Sequence, residues 1–279
     1  MLMKSRFFPL LVTGILMFSL YACKSEFERV RSSGDNTLLY KKSFEYYENG
    51  DYLKAQTLFE LIISGLRGKV EAEKVYFYYA YTHYQLGKYI SSNYYFKNFS
   101  NTFPNSQYRE EADYMAAYSN YQMSPNFRLD QTYSSKAIDG FQLFVNTYPT
   151  SPRVEKCNLL IDEMRRKMER KAVDEATLYF DLRQYQAANR SFENVLRDYP
   201  ETTNAEKIRY MQVKSSYLLA INSIYEKKQE RFEEAEKYAG LFLGRYKKSE
   251  YRKEVQSIKK TAVKEIRTLT DKQLKASKQ

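Results

Sequence analysis

The sequence predicts an all-α fold made of about five repeated helix–turn–helix units. Two compositional facts and one recurring pattern carry that expectation. Gly (9) and Pro (6) make up about 5% of the 279 residues, where about 12% is usual. A chain so short of turn residues is a poor sandwich, barrel or Gly-loop nucleotide fold. Charged residues at 28% and hydrophobic residues at 43% exclude both a disordered acidic tail and a polytopic membrane protein. The pattern is an aromatic phrase closed by proline, which returns three times along the chain.

The N-terminus comes first and is not part of that body. Lys4 and Arg6 form a short positive region, and Phe7 to Leu20 form an apolar run broken only by Pro9, Thr13, Gly14 and Ser19. The run is short for a membrane span and suits the core of a signal peptide. It ends in Leu20-Tyr21-Ala22-Cys23, which resembles the bacterial lipobox, in which a cysteine after a small residue is acylated and becomes the new N-terminus. Tyr21 departs from the usual pattern, where a smaller residue is commoner. The competing reading is an ordinary signal peptide with an incidental Cys23. Residues 1–22 are therefore expected to be a lipoprotein signal peptide, with an N-acyl diacylglycerol on Cys23 as the one covalent attachment and no cofactor. Residues 23–36, polar and aperiodic, are expected to be a lipidated tether. Loss of Lys4 and Arg6 would lower the formal net charge from +11 to +9, leaving 43 Lys and Arg against 34 Asp and Glu.

The repeats follow. Phe96-x-x-Phe99-x-x-x-Phe103-Pro104, Phe141-x-x-Phe144-x-x-x-Tyr148-Pro149 and Phe192-x-x-Val195-x-x-x-Tyr199-Pro200 are in register. Each is preceded by a small residue, Ser92, Ala137 or Ala188. A small residue lets two helices approach closely, and proline ends the second one. Gly50-Asp51-Tyr52-x-x-Ala55-x-x-x-Phe59 and Gly87-Lys88-Tyr89-x-x-Ser92-x-x-x-Phe96 carry the turn between paired helices. Arg183-Gln184-Tyr185-x-x-Ala188 repeats that turn with its glycine replaced. A degenerate last copy holds Phe232, Ala235, Phe242 and Tyr246, with lysine where proline would stand. Small–aromatic–proline spacing of this kind is the second helix of a tetratricopeptide repeat. About five such repeats, from roughly Leu38 to Ser257, predict a right-handed superhelix of helical hairpins.

The period is longer than the 34 residues of the standard repeat. Pro104 and Pro149 lie 45 residues apart, and Pro149 and Pro200 lie 51 apart. The first excess falls in Met123 to Asp130, a lengthened turn inside the third repeat. The second falls in Ser151 to Lys171, where Ser151-Pro152 reads as the cap and first residue of a long helix. That helix runs into the fourth repeat without a stop signal. The predicted organisation is repeats one to three over residues 37–150, a long linking helix with repeats four and five over residues 151–257, and a basic C-terminal tail over residues 258–279.

A lipobox followed by five such repeats resembles the BamD family, the lipoproteins of the outer-membrane β-barrel assembly machinery. Phe96-Lys97-Asn98-Phe99, Phe103-Pro104-Asn105-Ser106, Glu110-Glu111-Ala112, Ser124-Pro125 and Leu129-Asp130-Gln131-Thr132 are similar to the form found in Bacteroidetes. The resemblance spans nearly all of the chain after Cys23; the extra length after Arg252 departs from it. It implies a lipid-anchored periplasmic scaffold at the outer membrane. It also implies that the N-terminal repeats receive the signals of unfolded outer-membrane proteins, which usually end in an aromatic residue. The C-terminal repeats would then hold a BamA-like barrel insertase, with other assembly lipoproteins as further partners. The competing reading is a different repeat lipoprotein of the envelope, an adaptor or a glycan-binding module.

The residues offer one candidate site. Setting Ala80 against Ala117 puts Phe77, Tyr81 and Tyr84 in register with Tyr114, Tyr118 and Tyr121, and Tyr40, Phe44 and Tyr47 fall in the same places of the first repeat. Each trio runs i, i+4, i+7 and so lies on one helical face. In the fourth repeat the matching places hold Val173, Thr177 and Phe180. One reading makes these nine aromatics core, the usual fate of such a stripe. The other makes them a peptide-binding groove, since Tyr46, Ala80, Ala117 and the small–aromatic series already supply the contact within helix pairs. Tyrosine also suits a half-wet groove.

The remaining chemistry is sparse. Two cysteines, Cys23 and Cys157, and one histidine, His83, do not assemble a Cys/His zinc site. No Gly-x-Ser-x-Gly elbow accompanies His83, so neither catalysis nor a metal is expected. His83 corresponds to Asn120 one repeat later, where a polar residue is expected to hydrogen-bond near the helix surface. With Cys23 acylated, Cys157 is expected to be a free, buried thiol. Lysines stand beside glutamates, as in Glu226 to Arg231, a pattern of solvated helix faces, and no nucleic-acid partner is expected. The denser run from Lys247 to Lys278 reads either as a solubilising tail or as a helix facing acidic lipid head groups or an acidic partner.

Overall fold

The structure, a computed structural model, describes residues 25–276. The signal segment, Cys23 and the last three residues lie outside them. Twelve α-helices are present among the described residues: α1 (Glu26–Arg31), α2 (Asn36–Glu48), α3 (Tyr52–Ile63), α4 (Glu71–Gln85), α5 (Tyr89–Thr102), α6 (Arg109–Gln122), α7 (Thr132–Thr147), α8 (Val154–Asp181), α9 (Tyr185–Asp198), α10 (Ala205–Ile221), α11 (Tyr225–Arg245) and α12 (Arg252–Ala276). The chain forms two compact units. The first runs to Ser124 and includes Thr132–Leu160; the second takes Pro125–Gln131 and everything from Ile161 onward. The division falls within α8, and α8 runs without a break from Val154 to Asp181, as the missing stop signal predicts.

In the first unit each helix from α2 to α7 packs on the next. The small positions do what their size allows. Ala55, Ser92 and Ala137 are fully buried, and Ser92 Oγ lies 3.0 Å from Ser119 Oγ across the α5–α6 crossing. Gly140 of α7 approaches α6 so closely that an added Cβ would stand 2.8 Å from the Cβ of Ala117. Phe59, Phe96, Phe99, Phe141 and Phe144 meet aromatic rings of the paired helix within each hairpin and are almost wholly excluded from solvent. Burying a phenylalanine side chain is worth roughly 1.5–3 kcal/mol, so this series supplies much of the unit's driving force.

The second unit continues the scheme. Ala188, Phe192 and Val195 of α9 pack with Ala176 of α8 and Ile208 of α10. Phe232, Ala235 and Phe242 of α11 are buried, so the copy lacking its proline still packs as a repeat.

Three of the turns within hairpins close in one manner. Gly50, at φ +79°, has its N–H bonded to the Tyr47 carbonyl at 3.1 Å, and the Asp51 N–H bonds to the Tyr46 carbonyl at 2.8 Å. Gly87 repeats this with Tyr84 and His83, and Arg183 with Phe180 and Tyr179. This pair of bonds satisfies the last carbonyls of a helix through a left-handed residue. Arg183 (φ +59°) is the one non-glycine residue with positive φ among the described residues.

Three expectations need correction. Residues 23–36 are not all tether: α1 forms there, with the Ser25 hydroxyl capping its first turn. Val30 is buried, Phe27 meets Tyr46 edge-on at 5.7 Å, and two apolar side chains suffice to dock one helical turn. Ser151-Pro152 does not open α8, which begins at Val154. Ser151 Oγ accepts the Arg153 N–H at 3.2 Å and donates to Glu110 Oε1 at 2.6 Å, holding a separate turn ahead of the helix. Residues 258–276 are not a tail, because α12 crosses residue 257 without interruption. Its Val255, Ile258, Ala262 and Leu269 are buried against α10 and α11. Apolar residues at spacings of three and four were present but diluted among lysines.

Candidate functional site

The nine aromatics of the predicted lining all belong to α2, α4 and α6 of the first unit. Phe77 and Tyr114 are buried, at 5% exposure each, and the other seven are half-buried. Phe77 is core: its ring stacks on Tyr108 at 4.5 Å and meets Phe96 and Phe99. Tyr114 packs edge-on against Phe144.

Ring contacts divide the nine into two groups. In the first, Tyr40 meets Phe44 at 4.9 Å, and both Phe44 and Tyr47 meet Tyr78 edge-on at 5.2 and 4.9 Å. Tyr78 in turn meets Phe77, which meets Tyr81. In the second, Tyr118 stacks on Tyr114 at 5.5 Å and on Tyr121 at 5.4 Å, with Tyr84 6.2 Å away on the neighbouring helix. Tyr84 also accepts a long hydrogen bond from Gln122. Burial raises the hydroxyl pKa of Tyr47 and Tyr114 to about 12 and moves Tyr40, Tyr78 and Tyr84 in the same direction. These hydroxyls stay protonated near neutral pH and can donate to a carbonyl.

Several participants were not legible as a stripe. Tyr78 is the bridge between α2 and α4, yet it sits one residue out of the i, i+4, i+7 register. Its signal was the near-continuous aromatic run Tyr76 to Tyr81. Tyr81 donates a hydrogen bond to Glu111, and Glu111 pairs with Arg153. The Arg153 guanidinium lies 4.4 Å from the Tyr114 ring centre, and Lys156 lies 5.4 Å from that of Tyr118. Two cations from beyond Pro149 therefore border the aromatic row. They follow a turn rather than a helical register, so no periodicity revealed them.

His83 is buried, at 7% exposure, and forms a hydrogen bond from its helix to the neighbouring α3, as expected of a polar residue there. Its ring nitrogens lie 2.8 and 3.0 Å from Gln56 Nε2. Gln56 Oε1 in turn accepts from Lys88 at 2.9 Å. Burial, aided by the Lys88 charge, lowers the His83 pKa to about 4, so the ring is neutral at physiological pH. Cys157 is a buried free thiol, as expected, and burial raises its pKa to about 11.

Successive helical hairpins, whose first helices in the first unit carry an aromatic face bordered by cations, make this a helical-repeat protein. The chain belongs to the YfiO family of outer membrane lipoproteins, whose sequence model matches residues 32–232. Among solved structures it is similar to that of the Podosopora anserina "putative kinesin light chain nearly identical TPR-like repeats". That likeness is at 13% identity and a TM-score of 0.33, covering 91% of this chain and 100% of that one. No curated protein matches the chain.

Proposed function

We propose that the protein is a lipid-anchored periplasmic scaffold of the outer-membrane β-barrel assembly machinery, of the form found in Bacteroidetes. In this reading Cys23 carries the acyl anchor at the outer membrane. The repeats of the first unit receive unfolded outer-membrane proteins through their signals. Those of the second hold a BamA-like barrel insertase, with further assembly lipoproteins as neighbours. The protein acts by docking, with no cofactor and no bond made or broken.

The observation that carries the reading is the half-buried tyrosine group Tyr84, Tyr118 and Tyr121. These rings touch one another across two helices yet keep solvent-facing area, which suits an extended strand ending in an aromatic side chain. Membership of an outer membrane lipoprotein family supports the location.

The test is a fluorescence titration with a labelled peptide of alternating apolar residues ending in phenylalanine. Tyr84, Tyr118 and Tyr121 are replaced together by Ala. Tyr81 is left intact, because it holds Glu111 and packs on Phe77 and Phe96. At least tenfold weaker binding with unchanged helicity is expected, and equal affinity would overturn the groove. Depletion in the native cell is expected to lower outer-membrane barrel levels, and growth with normal levels would reject the assembly role.

A further inference from the structure

The strongest unassigned feature lies outside the region that matches the family. That match ends at residue 232, and α12 begins at Arg252. From Arg252 to Lys275 the helix carries eight Lys and Arg against three Asp and Glu, so it is far more basic than the chain as a whole.

Five of the eight cations share one side of the helix. At 100° per residue, Val255, Ile258, Ala262, Ile266 and Leu269 fall within about 40° of one direction. Four of them are buried and Ile266 is half-buried against the core. Lys253, Lys260, Lys264, Arg267 and Lys275 fall within about 40° of the opposite direction. All five are exposed, and none forms an ion pair among the described residues. Of the helix's other charges, Lys259 pairs with Glu236 at 3.1 Å, Glu254 accepts from Tyr210 and pairs with Lys214, and Arg252 donates to the Leu243 carbonyl, while Glu265 and Lys272 lie off the stripe. The only acid on the stripe is Asp271. From Lys253 to Lys275 the stripe is about 33 Å long at 1.5 Å per residue.

We propose that this stripe lies on a bilayer carrying anionic phospholipid. Four of the five cations are lysines, strongly hydrated point charges without the planar fork that selects a particular carboxylate. The remaining residues of that sector, Ser257 and Asp271, are polar, and the exposed Leu274 stands only at its edge, so the stripe has no central aromatic or aliphatic anchor of the kind that centres a protein interface. A row of unpaired cations, most of them lysine, suits a diffuse anionic surface, and a member of an outer membrane lipoprotein family works beside one. Each such charge near an anionic bilayer contributes about fivefold in partition, equivalent to about 1 kcal/mol.

Co-sedimentation with sucrose-loaded vesicles tests this. The full chain is used with Cys23→Ser, so that no acyl anchor attaches. Vesicles are pure phosphatidylcholine or 30% phosphatidylglycerol in phosphatidylcholine. The comparison is a variant with Lys253, Lys260, Lys264 and Arg267 all changed to Gln, checked for an unchanged thermal melt. The parent is expected to partition onto the anionic vesicles at least a hundredfold better than the variant, and to lose that advantage in 500 mM salt. On phosphatidylcholine the two should be alike. Equal partition of parent and variant onto anionic vesicles overturns the proposal. So does a parent that ignores phosphatidylglycerol, a result that would leave the stripe to an acidic protein.

Discussion

Ser106 donates its hydroxyl to Glu73 Oε1 at 2.5 Å and at the same time accepts the Tyr108 N–H at 2.9 Å. One side chain thus closes the turn after Pro104 and ties it to the first turn of α4, 33 residues back. Ser151 does the same with Glu110 and the Arg153 N–H, and Thr202 with Glu169 and the Asn204 N–H. The phrase proline–x–serine or threonine is a latch between consecutive repeats. Ser106→Ala and Ser151→Ala are each expected to cost about 1–2 kcal/mol, because a charge-assisted bond and a turn bond are lost together. Thr202→Ser should be close to neutral. Urea denaturation with an unchanged m-value is the measurement; a loss below about 0.3 kcal/mol for both alanine variants would contradict the latch.

Arg183 occupies the left-handed position that Gly50 and Gly87 hold in the other turns. A side chain there costs about 1–2 kcal/mol, partly offset by the greater freedom glycine has when unfolded. Arg183→Gly is therefore expected to raise stability by about 0.5–1 kcal/mol, seen as a higher Tm. Gly87→Ala should lower it by a similar amount.

Gly140 and Ala117 set the distance between α6 and α7. A Cβ on residue 140 would lie 2.8 Å from the Ala117 Cβ and 3.2 Å from its Cα, and the second of these is backbone that cannot swing away. Gly140→Ala is expected to destabilise by about 1–3 kcal/mol. Adding Ala117→Gly relieves the closer contact, so the two changes should be non-additive in a double-mutant cycle.

The His83 pKa falls from 6.5 to about 4 on folding. Below pH 6.5 the unfolded chain takes up a proton that the folded chain refuses, so stability rises with pH across this window. It is fully present above pH 6.5 and is lost as pH falls toward 4, at up to about 1.4 kcal/mol per pH unit. Asn120 stands at the matching place and is likewise buried. His83→Asn should flatten this part of the profile, and the difference between the two proteins in urea melts at pH 7.5, 6 and 5 isolates the histidine from the carboxylates.

How much of this was legible depended on whether a residue's role followed a helical period. Ser92, Ala137, Ala188 and the phenylalanines after them could be read directly, because close helix crossings demand small residues at fixed intervals. The turn at Arg183 was also readable from its neighbours despite the missing glycine. Helix α1 was missed because only two apolar side chains, Phe27 and Val30, dock it, too few to form a period. The inner face of α12 was obscured by lysines that dominate its composition without touching the core. Arg153, Lys156 and Tyr78 were missed at the site because they reach the aromatic row from a turn, from the start of the next helix and from one residue off the stripe. Where a side chain's role is set by a neighbouring repeat, spacing within its own helix carries no trace of it.

Cys157, in the first turn of α8, has no exposed surface, and its thiol is held almost wholly in the unreactive protonated form. That makes the chain its own reporter. A maleimide can reach this sulfur only when the start of α8 lifts from its surroundings. The alkylation rate of the peptide containing Cys157, followed by mass spectrometry, is then a clock for local opening, readable with no engineered label.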